Sequence, residues 1–176
     1  AESGYEAEID NLDMNGPVMR IAKEHFPEAV GKTIVGRASN FTDKETGIQE
    51  GSYDAVDYSF MLDMTKLWDK TRQFEKEKLE IERVKILREM NKALKMDGTS
   101  VITLPTGCFD DEKFARFASA MHHFGFEVSA EKSGETYAID LKPPRRIGWI
   151  LTMKKVGVPN LTDLNPNDLA FLTDED

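Results

Sequence analysis

The tightest constraint on this chain is the way helical and strand patterns take turns along it. From about Leu67 to Lys95, apolar residues recur at helical spacing (Leu79, Val84, Leu87, Met90, Leu94) between lysines, glutamates and arginines. Val101-Ile102-Thr103-Leu104 then forms a β-branched run closed by Pro105, which reads as a buried strand. Gly98 stands between the two and is expected to end the helix. The Lys-Glu run at 75–82 reads as a solvated helix face with favourable pairs three and four residues apart.

The same alternation extends in both directions. Ile9 to Leu12 is strand-like, and residues 16–26 form a helix pattern with Pro17 near its start and Val18, Ile21, Ala22 and His25 on one face. Pro27 stops that helix, and Thr33-Ile34-Val35 follows as a short strand. After a polar loop over 43–51, residues 53–62 read as a strand, with Val56, Tyr58 and Phe60 in alternation. Residues 110–125 form a second amphipathic helix pattern. Asp110 or Asp111 is its N-cap, Phe114, Phe117, Ala118 and Met121 are its stripe, and Gly125 marks its end. Strand patterns follow at 126–130, 137–141 and 148–153, the last two joined by a turn around Pro143-Pro144-Arg145-Arg146. This order predicts an α/β layered fold: a three-layer sandwich with a mostly parallel sheet, helices on both faces and an antiparallel edge. Residues 1–157 are expected to form one domain, and 158–176 an acidic tail or linker.

Composition removes several classes of function. The chain has 176 residues, a length that suits one domain. Its single cysteine, Cys108, excludes an intramolecular disulfide and any Cys-rich zinc site. Lys+Arg number 23 against 32 Asp+Glu, for a net charge of −9, which argues against sequence-independent nucleic-acid binding. No apolar run reaches the roughly 18 residues of a membrane span, and the acidic amino terminus is unlike a signal peptide. A soluble cytoplasmic protein is the expectation.

In open α/β sheets, ligands bind beyond the carboxyl ends of the strands. The candidate residues are therefore Asp13-Met14-Asn15, Arg37 to Asn40, Ser59 to Asp63, and Pro105 to Cys108. Several stretches resemble the class I S-adenosylmethionine-dependent methyltransferases. Gly51-Ser52-Tyr53-Asp54-Ala55-Val56-Asp57-Tyr58-Ser59-Phe60 is similar to that family's fourth strand. The stretch from Arg88-Glu89 through Leu94-Lys95-Met96-Asp97-Gly98 to Val101-Ile102 resembles its following helix, turn and fifth strand, with Met96-Asp97-Gly98 where Pro-Gly-Gly is usual. Leu12-Asp13 through Lys23 resembles the second strand and its helix, and Phe117 to Val128 the helix leading to the sixth strand.

The resemblance implies S-adenosylmethionine as cofactor and transfer of its methyl group to an acceptor the residues do not name. It places Asp13 at the ribose hydroxyls, where a carboxylate accepts both hydrogen bonds; an exposed Asp capping the helix at Pro17 is the alternative. It also places Ala38 and Ser39 at the adenine, and Tyr58 and Ser59 beside the methyl, with core packing the alternative for Tyr58 and Phe60. Arg37 stands where the family often has an Asp that accepts from adenine. No Gly-x-Gly occurs in the chain, and only about eight residues precede the second-strand match, so the family's first strand, glycine turn and helix are expected to be missing. A protein partner or a further segment would then complete the sheet. The alternative function is a non-catalytic methyltransferase-like scaffold or interaction domain in a larger assembly, favoured by Arg37, the missing glycine turn and the acidic tail; an unrelated α/β nucleotide-binding protein comes third.

Other chemistries have less behind them. His122-His123 lack zincin spacing, Cys108 has no histidine near it in sequence, and Asp110-Asp111-Glu112 precedes a helix that it suits as a cap. Arg145-Arg146 reads as a solvated hairpin tip, with contact to an anionic substrate the alternative.

Overall fold

A computed structural model describes residues 9–13, 16–25, 31–35, 38–40, 42, 47–57, 76–105, 110–132, 136–137 and 145–164. The chain divides into two compact units, Ala1–Ile48 and Gln49–Asp176.

In the first unit, β1 (Asn11–Asp13) and β2 (Thr33–Val35) pair in parallel, with Leu12 opposite Ile34 and Asp13 opposite Val35. Parallel neighbours need a crossover, and α1 (Gly16–His25) supplies it. Pro17 sits in its first turn, where a missing N–H costs nothing, and Lys23 sits in its last turn, where a cation suits the helix dipole. The entry to β2 is stitched to that of β1. Gly31 N–H donates to the Ile9 carbonyl at 2.7 Å, and Lys32 N–H to Asp10 Oδ1 at 2.7 Å. Ile34 is buried at the centre of the pair.

The second unit contains β3 (Tyr53–Asp57), α2 (Lys76–Ala93), β4 (Leu94–Pro105), α3 (Asp111–His123), β5 (Phe126–Lys132), β6 (Thr136–Tyr137) and β7 (Arg145–Lys155). The sheet order is β3-β4-β7-β5, and β6 also pairs with β7. β3 and β4 are parallel, while β7 is antiparallel to β4, β5 and β6. β4 and β5 therefore run the same way with β7 reversed between them. The antiparallel strand expected at the edge is thus internal, because β7 finds long partners on both sides.

Register gives the sheet two unlike faces. Ser100, Met153 and Val128 lie side by side, as do Ile102, Leu151 and Ala130. Trp149 and Lys155 share this face by alternation along β7. α3 covers it through Phe114, stacked on Trp149 at 6.2 Å, and α2 reaches it where Lys155 meets the carbonyls of Asn91 and Leu94. Among the described residues, the two helices of this unit therefore lie on one side. The other face carries Thr99, Lys154 and Glu127 in one row and Val101, Thr152 and Ser129 in the next, none of them buried.

The core lies between that helix pair and the sheet. Leu87, Met90, Leu94, Ile102, Phe117, Met121, Phe124, Phe126 and Leu151 are wholly buried. Each stabilises by about 1.5–3 kcal/mol, so this cluster outweighs exposed ion pairs such as Lys132–Asp111, worth about 0–1 kcal/mol. The α2 stripe is rotated relative to the expected one: Ile86 and Arg83 are buried and Val84 only half-buried.

The junction of α2 and β4 also differs from expectation. The helix ends at Ala93, Leu94 pairs at once with Tyr53, and the ladder resumes at Thr99 opposite Ala55. The intervening Lys95–Gly98 forms a bulge within β4, and the left-handed residue there is Asp97 (φ 65°), not Gly98. Gly98 serves close approach instead. A Cβ on it would lie 2.9 Å from the Lys95 carbonyl oxygen and 3.1 Å from that of Asp54.

Candidate functional site

The parallel strands place their carboxyl ends where the sequence puts its candidates. Asp13 is the last residue of β1, and its register partner Val35 is the last residue of β2. Three residues beyond Val35, Ala38–Asn40 form a single 3-10 turn in which Ala38 and Ser39 are half-buried. Asp13, Ala38 and Ser39 thus belong to the same end of the β1–β2 pair. That end offers a strand-terminal carboxylate followed by α1, whose first turn contains no acidic residue. Tyr58 and Ser59 lie outside the described residues, as do Arg37, Phe60, Cys108, Pro143 and Pro144.

In the second unit, Asp57 ends β3 opposite Val101 of β4. At the carboxyl end of β5, a clasp that sequence patterns do not reveal joins three elements. Trp149 of β7 is stacked on Phe114 of α3 at an interplanar angle of 15°, and Lys132 Nζ lies 4.8 Å from the Trp149 ring centroid. Lys132 also pairs with Asp111 at 2.9 Å. Asp110 is the N-cap of α3, its Oδ1 accepting from Lys113 N–H at 2.7 Å. Asp110 and Asp111 therefore both have structural work. Among the described residues, no group of three His, Cys, Asp or Glu side chains is arranged to hold a metal ion.

The opposite end of this sheet holds a buried polar hub. Lys155 Nζ donates to the Asn91 carbonyl at 2.6 Å and the Leu94 carbonyl at 2.8 Å, satisfying acceptors that the end of α2 leaves open. Burial pushes the Lys155 ammonium pKa below its usual value, against an opposing pull from Glu50. Its neighbour Lys154 is exposed. A hydrogen bond to Asp97 at 2.7 Å, together with that carboxylate's charge, raises its pKa. The hub sits at the amino ends of β4 and β5, away from their carboxyl ends, so its role is structural.

No protein-family model matches the sequence, and no curated protein is similar to it in sequence. Solved structures are similar in fold. A TehB-like SAM-dependent methyltransferase from Corynebacterium glutamicum superposes with a TM-score of 0.52 at 20% identity, over 85% of this chain and 68% of that one. A SAM-dependent O-methyltransferase from Thermotoga maritima gives 0.52 at 13% identity, over 88% of this chain and 52% of that one. The chain has the class I methyltransferase fold. An rRNA methylase from Streptococcus thermophilus is also similar, at a TM-score of 0.50 and 10% identity, over 85% of this chain and 74% of that one. At such identities the methyltransferase fold is what is shared. No helix among the described residues is long and apolar enough to cross a membrane.

Proposed function

We propose that this chain is a cytoplasmic S-adenosylmethionine-dependent methyltransferase, or a segment of one, acting on an acceptor still to be found. The observation that carries the proposal is the parallel β1–β2 pair, which brings Asp13 and the Ala38–Ser39 turn to one end, within a methyltransferase fold. When bound, S-adenosylmethionine supplies an electrophilic methyl on a sulfonium. This chain's own residues bind and orient it: Asp13 accepts from the ribose hydroxyls, Ala38 and Ser39 border the adenine, and Tyr58 and Ser59 line the methyl side. For such a transfer, alignment and exclusion of water are the protein's main contributions. The methionine end calls for a glycine turn that the sequence lacks, so we assign that grip, and the strand that carries it, to a further segment or a protein partner.

A second reading rests on the same absence of Gly-x-Gly: a methyltransferase-like domain retained as a scaffold or interaction module. Titrating the full chain with S-adenosylmethionine by calorimetry and thermal shift separates the two. Ligand at a hundred times its dissociation constant adds about 2.7 kcal/mol, a rise of several degrees in Tm. Asp13→Ala removes that rise while leaving the unliganded Tm in place. No heat and no shift at millimolar ligand would support the scaffold.

A further inference from the structure

We propose that the Trp149 ring and the Asp111 carboxylate form a recognition site for an organic ammonium ion, and that Lys132 of the chain itself occupies that site. Lys132 is the last residue of β5 and lies opposite Trp149, which on its other side lies opposite Leu104, near the end of β4. The group therefore stands at the carboxyl ends of two strands that run the same way, the end of an α/β sheet at which ligands bind. The Lys132 ammonium is over the indole, 4.8 Å from the ring centroid, and 2.9 Å from Asp111 Oδ1. An aromatic face and a carboxylate that share one ammonium are the two groups that recognise a cationic head group.

The fold needs little from that ammonium. The side chains of Lys132 and Asp111 are 65% and 83% exposed, so their ion pair contributes little to stability. The start of α3 has its own cap in Asp110, and Trp149, 8% exposed, is packed on Phe114. Turning Lys132 out to solvent leaves the cap and the stack in place and frees the indole and the carboxylate for another cation. The charge around the site selects that sign. A helix start ordinarily favours anions, but Asp110, Asp111 and Glu112, all exposed, make this one acidic. The ligand is thus a small alkylammonium or quaternary ammonium group that displaces Lys132. With the methyl transfer proposed above, the acceptor becomes a molecule that bears an ammonium group; that extension rests on the proposed function, whereas binding of the cation does not.

Tetramethylammonium chloride is the probe, titrated into the full chain and followed at the Trp149 indole N–H by NMR, with sodium chloride as the ionic-strength control. Wild type is expected to show a saturable shift of that resonance. Lys132→Ala removes the internal competitor and is expected to bind about fivefold tighter or more, and Lys132→Gln, which keeps a polar stem without the charge, is expected to do the same. Asp111→Asn added to Lys132→Ala takes away the carboxylate and is expected to weaken binding about fivefold. Circular dichroism checks that these exposed substitutions leave the fold intact. The proposal fails if wild type shows no shift beyond that of sodium chloride, if the Lys132 variants bind no tighter than wild type, or if loss of the Asp111 charge leaves the affinity unchanged. S-adenosylmethionine is absent throughout, so such a failure leaves the methyl-transfer reading standing, and a failed S-adenosylmethionine titration leaves the cation site standing.

Discussion

Asn91 and Lys155 complete each other at the amino end of the large sheet: the lysine ammonium donates to the asparagine carbonyl at 2.6 Å, and the asparagine amide binds the chain on either side of them. Asn91 Nδ2 donates to the Phe124 carbonyl and to the Gly157 carbonyl, each at 2.9 Å. One side chain thus closes the exit of α3 and the exit of β7, while the other closes the exit of α2.

Replacing Asn91 by Leu is expected to destabilise the protein by about 1–3 kcal/mol, because one buried and one part-buried carbonyl lose their donor. For a chain of this size that is a drop in Tm of roughly 2–10 °C, measurable by calorimetry. Because α2, α3 and β7 all meet at this side chain, the loss should appear as one cooperative transition.

Lys155 makes stability depend on pH in an unusual sense. Its folded pKa is lowered by burial, whereas the unfolded chain keeps its proton up to about the ordinary 10.5. Between those two values the unfolded state holds more protons, so the penalty for burying the ammonium shrinks as pH rises. The stability of wild type relative to Lys155→Met should therefore increase on the approach to pH 10.5. A difference that falls over that range, measured by urea unfolding, would contradict the burial of the charge. Lys154 behaves in the opposite way: its raised pKa makes the Asp97 pair favourable below the ordinary value, and that contribution is lost above it.

Gly125→Ala is expected to be among the most damaging single changes, costing about 3 kcal/mol or more. Gly125 has φ 78°, and an added Cβ would lie 2.4 Å from the Gly157 carbonyl oxygen. Its own carbonyl accepts from Val156 and Gly157, so it cannot shift without breaking the hub's outer hydrogen bonds. Denaturant midpoints should show the loss. Gly47→Ala, also at positive φ but with open space around it, should cost only about 1 kcal/mol.

Ser100→Ala should be neutral or stabilising by up to about 1 kcal/mol. Ser100 is wholly buried on the helix-covered face, and its hydroxyl has no hydrogen-bond partner among the described residues. Removing an unsatisfied polar atom relieves its desolvation cost at the loss of very little packing. A Tm equal to or above wild type is the expected result.

Local chemistry made much of this molecule legible from its residues. Phe117 and Met121, spaced four apart on α3, became core, and Asp110 became the N-cap because an aspartate can accept from the N–H three residues on. Asp13 with Ala38 and Ser39 could be placed at one end because parallel strands joined by a helix must point the same way. What spacing cannot encode is which distant partner a group meets. Asn91 binds carbonyls 33 and 66 residues away, and Lys155 reaches back 64 and 61. The sequence of Met96-Asp97-Gly98 announced a helix stop, yet only packing against the Asp54 carbonyl decided that Asp97 would take the left-handed turn and Gly98 the tight contact. Likewise the apolar run at 148–153 read as a strand. Its place inside the sheet, reversed between β4 and β5, was decided by tertiary pairing, because backbone hydrogen bonds carry no label of the residues they join.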